Sequence, residues 1–193
     1  MAPRRQPYLL VQDLPALKAG DGPVRATLHA AEAPGDTGVL QVQAIELQRG
    51  GQLLQRIEGL DTQTPASPAP IEVLDMNFDG IADLRLVESR PAGPNTPYLH
   101  WLWDNTHQRF VPSPALDDLS APRFDAKRKQ VQSDWRDGPT LYGTDTYVWR
   151  AGELHAVSRE ERLYDVPGRY TLKTYIWADG GWRLQRSQAG RDE

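Results

Sequence analysis

Apolar residues along this 193-residue chain mostly alternate with polar ones, the period of a half-buried strand. Three segments share one pattern: WLWDNTHQRFV (101–111), YVWRAGELHAV (147–157) and YIWADGGWRLQ (175–185). Each is an aromatic, a spacer, a tryptophan, a short polar turn and an apolar stretch. That order predicts a β-hairpin whose first strand ends in an aromatic pair. A weaker copy, IELQRGGQLLQRI (45–57), turns at Gly50-Gly51. Trp101/Trp103, Tyr147/Trp149 and Tyr175/Trp177 each take one strand face, while Leu102, Val148 and Ile176 take the other. Apolar groups on both faces predict sheets packed on both sides, as in stacked propeller blades or a sandwich.

The clear copies start at 101, 147 and 175, too unevenly for a strict tandem array. The expected fold is all-β, a small β-propeller-like domain of four or five antiparallel sheets of about 40 residues each. It would span residues 1–186 as a single domain, with 187–193 a disordered tail; the alternative is a β-sandwich. LDTQTPASPAP (60–70) reads as a surface loop.

Composition sharpens this picture. Sixteen glycines and sixteen prolines, spread through the chain, leave little room for long helices. No apolar run reaches the eighteen residues of a membrane span. Cysteine is absent, which excludes disulfides, thiolate metal sites and cysteine nucleophiles. The net charge of −4 and scattered basic residues argue against nucleic acid as a partner. The densest basic patch, Lys127, Arg128 and Lys129, reads as a solvated hairpin tip.

One stretch carries ligand chemistry. In DMNFDGIADL (75–84), Asp75, Asn77, Asp79 and Asp83 place oxygens at alternate positions around Gly80. Calcium takes six to eight oxygen ligands, and a tight loop lets alternate side chains converge while the others point away. Asp75, Asn77 and Asp79 would supply side-chain oxygens, Ile81 its carbonyl, and Asp83 a direct or water-mediated ligand. The twelfth position is Leu86, not the glutamate of an EF-hand, and the flanks IEVL and LRLV are strand-like. The loop resembles those of integrin-type FG-GAP repeats, with Ca2+ holding a hairpin in shape. A metal-free acidic turn with Asx hydrogen bonds is the alternative.

No phosphate loop, G-x-S-x-G or H-E-x-x-H occurs, and the four histidines stand apart. A pair of carboxylates such as Asp117 or Asp118 with Glu160 or Glu161 is the candidate for glycosidase chemistry. The stronger features point to binding and not to an enzyme. AGPNTPY (92–98) is stiffened by Pro94 and Pro97 and ends in a tyrosine, so docking it costs little entropy. The plainer reading is that Tyr98 packs at the start of a strand.

The succession DMNFDGIADLRL, AGPNTPYLHWLWD, PRFDAKRKQVQSDWRDG and YGTDTYVWRAGEL resembles the exported bacterial immunity proteins that act against secreted lysozyme-like effectors. These are related to periplasmic inhibitors of invertebrate-type lysozymes, and the likeness covers roughly residues 71–157. It implies a β-propeller-like inhibitor with one Ca2+, whose exposed loop enters the cleft of a glycoside hydrolase. By this resemblance Gly93, Asn95 and Tyr98 form the inserted loop, and Arg136, Asp137, Gly138 and Tyr142 a second contact region. The implied partner is a cognate secreted effector used in bacterial competition, best matched by a lysozyme-like peptidoglycan hydrolase. The implied location is the periplasm, although MAPRRQPYLL carries no signal peptide; the cytoplasm is the alternative. A calcium-binding structural or adhesive module and a glycan-active enzyme are the rival functions.

Overall fold

The computed structural model describes residues 7–33, 38–67, 69–88 and 96–192. Among them the only helix is one turn, α1 (Pro114–Asp117). Everything else that is regular is antiparallel strand, arranged in three meanders of four, four and six strands. The first holds β1 (Pro7–Leu14), β2 (Val24–Glu32), β3 (Val39–Arg49) and β4 (Gln52–Pro65), paired in chain order. The second holds β5 (Ile71–Leu74), β6 (Asp83–Val87), β7 (Tyr98–Asp104) and β8 (Arg109–Pro112). The third runs from β9 (Arg123–Asp125) through β10 (Gln130–Asp137), β11 (Leu141–Arg150), β12 (Glu153–Val166) and β13 (Arg169–Ala178) to β14 (Gly181–Arg191).

The all-β expectation holds, and all four predicted hairpins are present as β3–β4, β7–β8, β11–β12 and β13–β14. Where a propeller-like domain of four or five sheets was expected, the described residues form three, of four, four and six strands. The chain divides into two compact units, one containing β1–β8 with α1 and the other β9–β14. The stretch expected as a surface loop at 60–70 is strand as far as Pro65, and the expected tail is strand through Arg191.

In the first unit, the two four-stranded sheets share one core. Leu28, Val42, Ile45 and Leu47 from one sheet join Leu84, Leu86, Trp101, Trp103 and Phe110 from the other. Trp103 and Phe110 meet edge to face at 4.9 Å between centroids, the favoured geometry for such a pair. Two glutamines tie the sheets together. Gln12 on β1 donates to the carbonyl of Ile71 (2.6 Å) and accepts from its N–H (3.2 Å). Gln55 on β4 does the same with Phe110 (3.0 and 2.6 Å). Each amide thus stands in for the ladder partner that an edge strand of the second sheet would otherwise lack.

The second unit is less covered. Val131, Ser133 and Asp145 are buried, but Leu163, Ile176, Trp177 and Leu184 are exposed. Packing on both sides, expected from the aromatic pattern, is therefore not found at Ile176 and Trp177. Two glycines lie under aromatic rings here: Trp135 covers Gly143 directly opposite, and Tyr170 covers Gly190. A side chain at either position would occupy the space of the ring.

Candidate functional site

The acidic loop joins β5 to β6, between the strands expected on either side of it. Phe78 (φ 63°) and Gly80 (φ 88°) take left-handed backbone, which folds the loop tightly on itself. Asp75 accepts from the N–H of Asp79 (3.1 Å) and Gly80 (2.9 Å). Asn77 Oδ1 also accepts from Asp79 N–H (3.1 Å), so oxygens of Asp75 and Asn77 converge on one nitrogen. Asp79 in turn accepts from Ile81 N–H (2.8 Å) and from the Asn77 amide (3.0 Å). The loop is thus a nest of Asx turns in which Asp75 and Asn77 share one N–H and the Asn77 and Asp79 side chains meet.

Asp83 stands apart from these three. It is fully buried, and its two oxygens accept at 2.7 Å from the N–H groups of Met76 and Trp103. Burial pushes its pKa up to about 7. The two backbone donors oppose that rise, and the negative charges of Asp79 and Asp75 add to it. Ile81 packs at the edge of the core, and the neighbouring Ala82 donates its N–H to Leu17 (2.7 Å).

Hard oxygen donors in this number suit calcium and not a soft or tetrahedral metal. Among the described residues, however, no three His, Asp or Glu side chains are arranged about one metal position. Asp75, Asn77 and Asp79 fit the ligand chemistry through the oxygens they already turn toward the same short backbone segment. Asp83 serves first as a clamp on two strands.

Tyr98 opens β7 opposite Val87 and is half-buried. The Arg85 guanidinium lies 4.2 Å from its ring centroid, and the His100 ring stands 5.8 Å away on the same strand. Arg85 is itself held by Glu72 through Nε (2.9 Å) and Nη2 (2.5 Å). The ring is therefore oriented by a charged stack and is not sunk in the core. Gly93 and Asn95, expected as the tip of the same loop, lie outside the described residues.

The other predicted contact residues come together in the β10–β11 hairpin of the second unit. Arg136 donates to the carbonyl of Gly138 (2.7 Å), which takes φ 70° in the turn. The Arg136 guanidinium also lies 5.0 Å from the Tyr142 ring centroid. Asp137 ends β10 in an exposed position. Sequence reasoning missed the groups beyond this hairpin, because they lie on other strands: Arg162 opposite Tyr142, then Tyr164 and Tyr170.

Three of the carboxylates considered for hydrolysis have partners. Asp117 accepts from the backbone N–H of His100 (2.7 Å) and lies 3.0 Å from its Nδ1. Burial holds the pKa of that histidine below its usual value. Glu160 pairs with Arg162 (3.1 Å), and Glu161 accepts from the Tyr175 hydroxyl (2.8 Å).

The sequence matches no family model, and no curated protein matches it significantly. Its fold does match a solved one. A chain described as a Xanthomonas type IV secretion system related protein superposes with a TM-score of 0.69 at 17% identity. The match covers 94% of this chain and 98% of that one, so the two share their fold over nearly their whole length.

Proposed function

We propose that this chain is a calcium-stabilised immunity protein. It would bind a secreted antibacterial effector and block its active cleft, with a lysozyme-like peptidoglycan glycoside hydrolase as the target. The observation that carries this reading is the whole-length fold shared with a protein related to a type IV secretion system. Effector and immunity proteins belong in that setting, and the order of motifs along residues 71–157 points the same way. Such a protein works in the periplasm, where a peptidoglycan hydrolase meets its substrate.

The mechanism asks for no chemistry from the inhibitor. Tyr98 combines an apolar ring with a hydroxyl, a mixture favoured at interface hot spots. The Arg85 stack holds the ring in one orientation, which reduces the freedom lost on docking. Inserted in a cleft, it would exclude the glycan strand and hydrogen-bond a catalytic carboxylate of the effector. Arg136, Asp137, Gly138 and Tyr142 are the proposed second contact region, with Gly93 and Asn95 at the loop tip. Calcium at Asp75, Asn77, Asp79 and the Ile81 carbonyl, with Asp83 behind them, would stiffen the β5–β6 connection.

The test is a cell-wall lysis assay with a lysozyme-like peptidoglycan hydrolase effector, titrated with the purified protein. Stoichiometric loss of lysis is expected, with no turnover of peptidoglycan or simple glycosides by the protein alone. Undiminished lysis at excess protein, or hydrolysis by the protein itself, would overturn the proposal.

A further inference from the structure

The face of the second unit's sheet that carries Tyr142, one of the proposed contact residues, also holds a trough. A cavity of about 570 Å³ is lined by Tyr142, Arg162, Tyr164 and Asp192, among others. A second, of about 300 Å³, shares Tyr142 and Arg162 with it and extends to Asp134, Thr144 and Glu160. The strand register explains the alignment. Asp134 faces Thr144 and Glu160 across three strands, and Tyr142 faces Arg162 two residues further on, on the same face. Tyr164 follows on β12, opposite Tyr170. The combined space falls within the usual size of small-ligand sites.

We propose that this trough binds a neutral oligosaccharide. Two tyrosine rings, Tyr142 and Tyr164, form its apolar side with centroids 5.7 Å apart, and Tyr170 backs Tyr164 at 5.3 Å. Tyr142 remains 36% exposed, so ring surface is open to a ligand. Around the rings the charges compensate one another. Glu160 pairs with Arg162, Asp134 with Arg123, and Asp192 accepts from the Tyr164 hydroxyl at 3.0 Å. An anion would meet several carboxylates, and a cation would have to displace an arginine. A peptide backbone would find no ladder partner, because β11, β12 and β13 are already paired on both sides. A sugar suits what is left: its C–H face packs on tyrosine, and its hydroxyls both donate to carboxylates and accept from guanidinium.

This inference does not rest on effector binding, and its test leaves the effector out. Isothermal titration of the full chain with chitotetraose, and separately with maltotetraose, should give saturable binding of at least one of them. Tyr142→Ala should weaken that binding roughly tenfold, given the worth of one aromatic contact. Tyr164→Phe, which keeps the ring but frees Asp192, should weaken it less, and thermal melts should show both variants folded. No heat from either sugar at millimolar concentration would overturn the proposal, as would affinity unchanged in a folded Tyr142→Ala variant.

Discussion

Replacing Asp83 by asparagine should remove a pH dependence from the stability of the calcium-free protein. In the folded chain this carboxyl holds its proton up to about 7, against 3.8 for the free group. A raised carboxyl pKa means that the native state binds more protons than the unfolded state between those two values. Stability is then greatest at low pH and falls as pH rises through the folded pKa. Integrated from pH 5 to pH 8, the loss is about 2–3 kcal/mol for this one group. Urea unfolding in chelator at the two pH values measures it. The wild type should lose that amount, while Asp83→Asn, which cannot titrate, should lose that much less over the same interval. The variant will be weaker throughout, because its amide nitrogen faces one of two backbone donors at 2.7 Å. That offset cancels in the comparison of slopes. Identical slopes in the two proteins would refute a buried, proton-holding Asp83.

Other expectations follow from single contacts. Calcium in excess should raise the melting temperature and chelator lower it, since a cation offsets the clustered charges of Asp75 and Asp79; no shift with either would leave the loop a metal-free turn. Tyr98→Ala should weaken effector inhibition roughly thirtyfold or more, as loss of a hot spot does, while circular dichroism stays unchanged. Gln55→Ala should cost about 1–3 kcal/mol in urea unfolding, because the N–H and carbonyl of Phe110 both lose their partner. Gly143→Ala should displace the Trp135 ring and change the near-ultraviolet dichroism, with an unchanged spectrum counting against the stacked pair.

The hairpins were legible because a two-residue period and a polar turn are local properties of the chain. The acidic loop was legible for the same reason: the strands at 71–74 and 83–87 flank it as the β-rich segments suggested. What stayed hidden depends on groups distant in sequence. Nothing about Gln12 or Gln55 marks them as clips, since each finds its backbone partner 59 or 55 residues away. The number of sheets was hidden at this level too, because which hairpins join into one sheet depends on which edge strands pair and not on the pattern within a hairpin. Asp145 shows the same limit. It sits in a strand pattern like any polar residue, yet it is buried and bonded by Arg159 (2.7 and 2.6 Å) and the Trp135 indole (3.0 Å). The two tyrosines of the trough, Tyr142 and Tyr164, lie 22 residues apart, so only the register unites them.

Asp83 also decides how a cation at the loop would reach Tyr98. Its carboxylate bonds the loop through Met76 and β7 through Trp103, at the end of the β6–β7 pair remote from Tyr98. Tyr98 pairs with Val87 at the other end, four residues along β6 and so about 13 Å away along the strand. At that distance an ion bound by the loop does not touch whatever docks on Tyr98. It acts through the order of the ladder between them, Leu84 with Trp101 and Leu86 with Leu99. Leu84, Leu86 and Trp101 are buried in the shared core, so the pair keeps its register when the loop loosens. Chelation should therefore lower the melting temperature while leaving the affinity for an effector, measured well below that temperature, nearly unchanged. A fall in affinity parallel to the fall in stability would show instead that the ladder transmits disorder along its whole length.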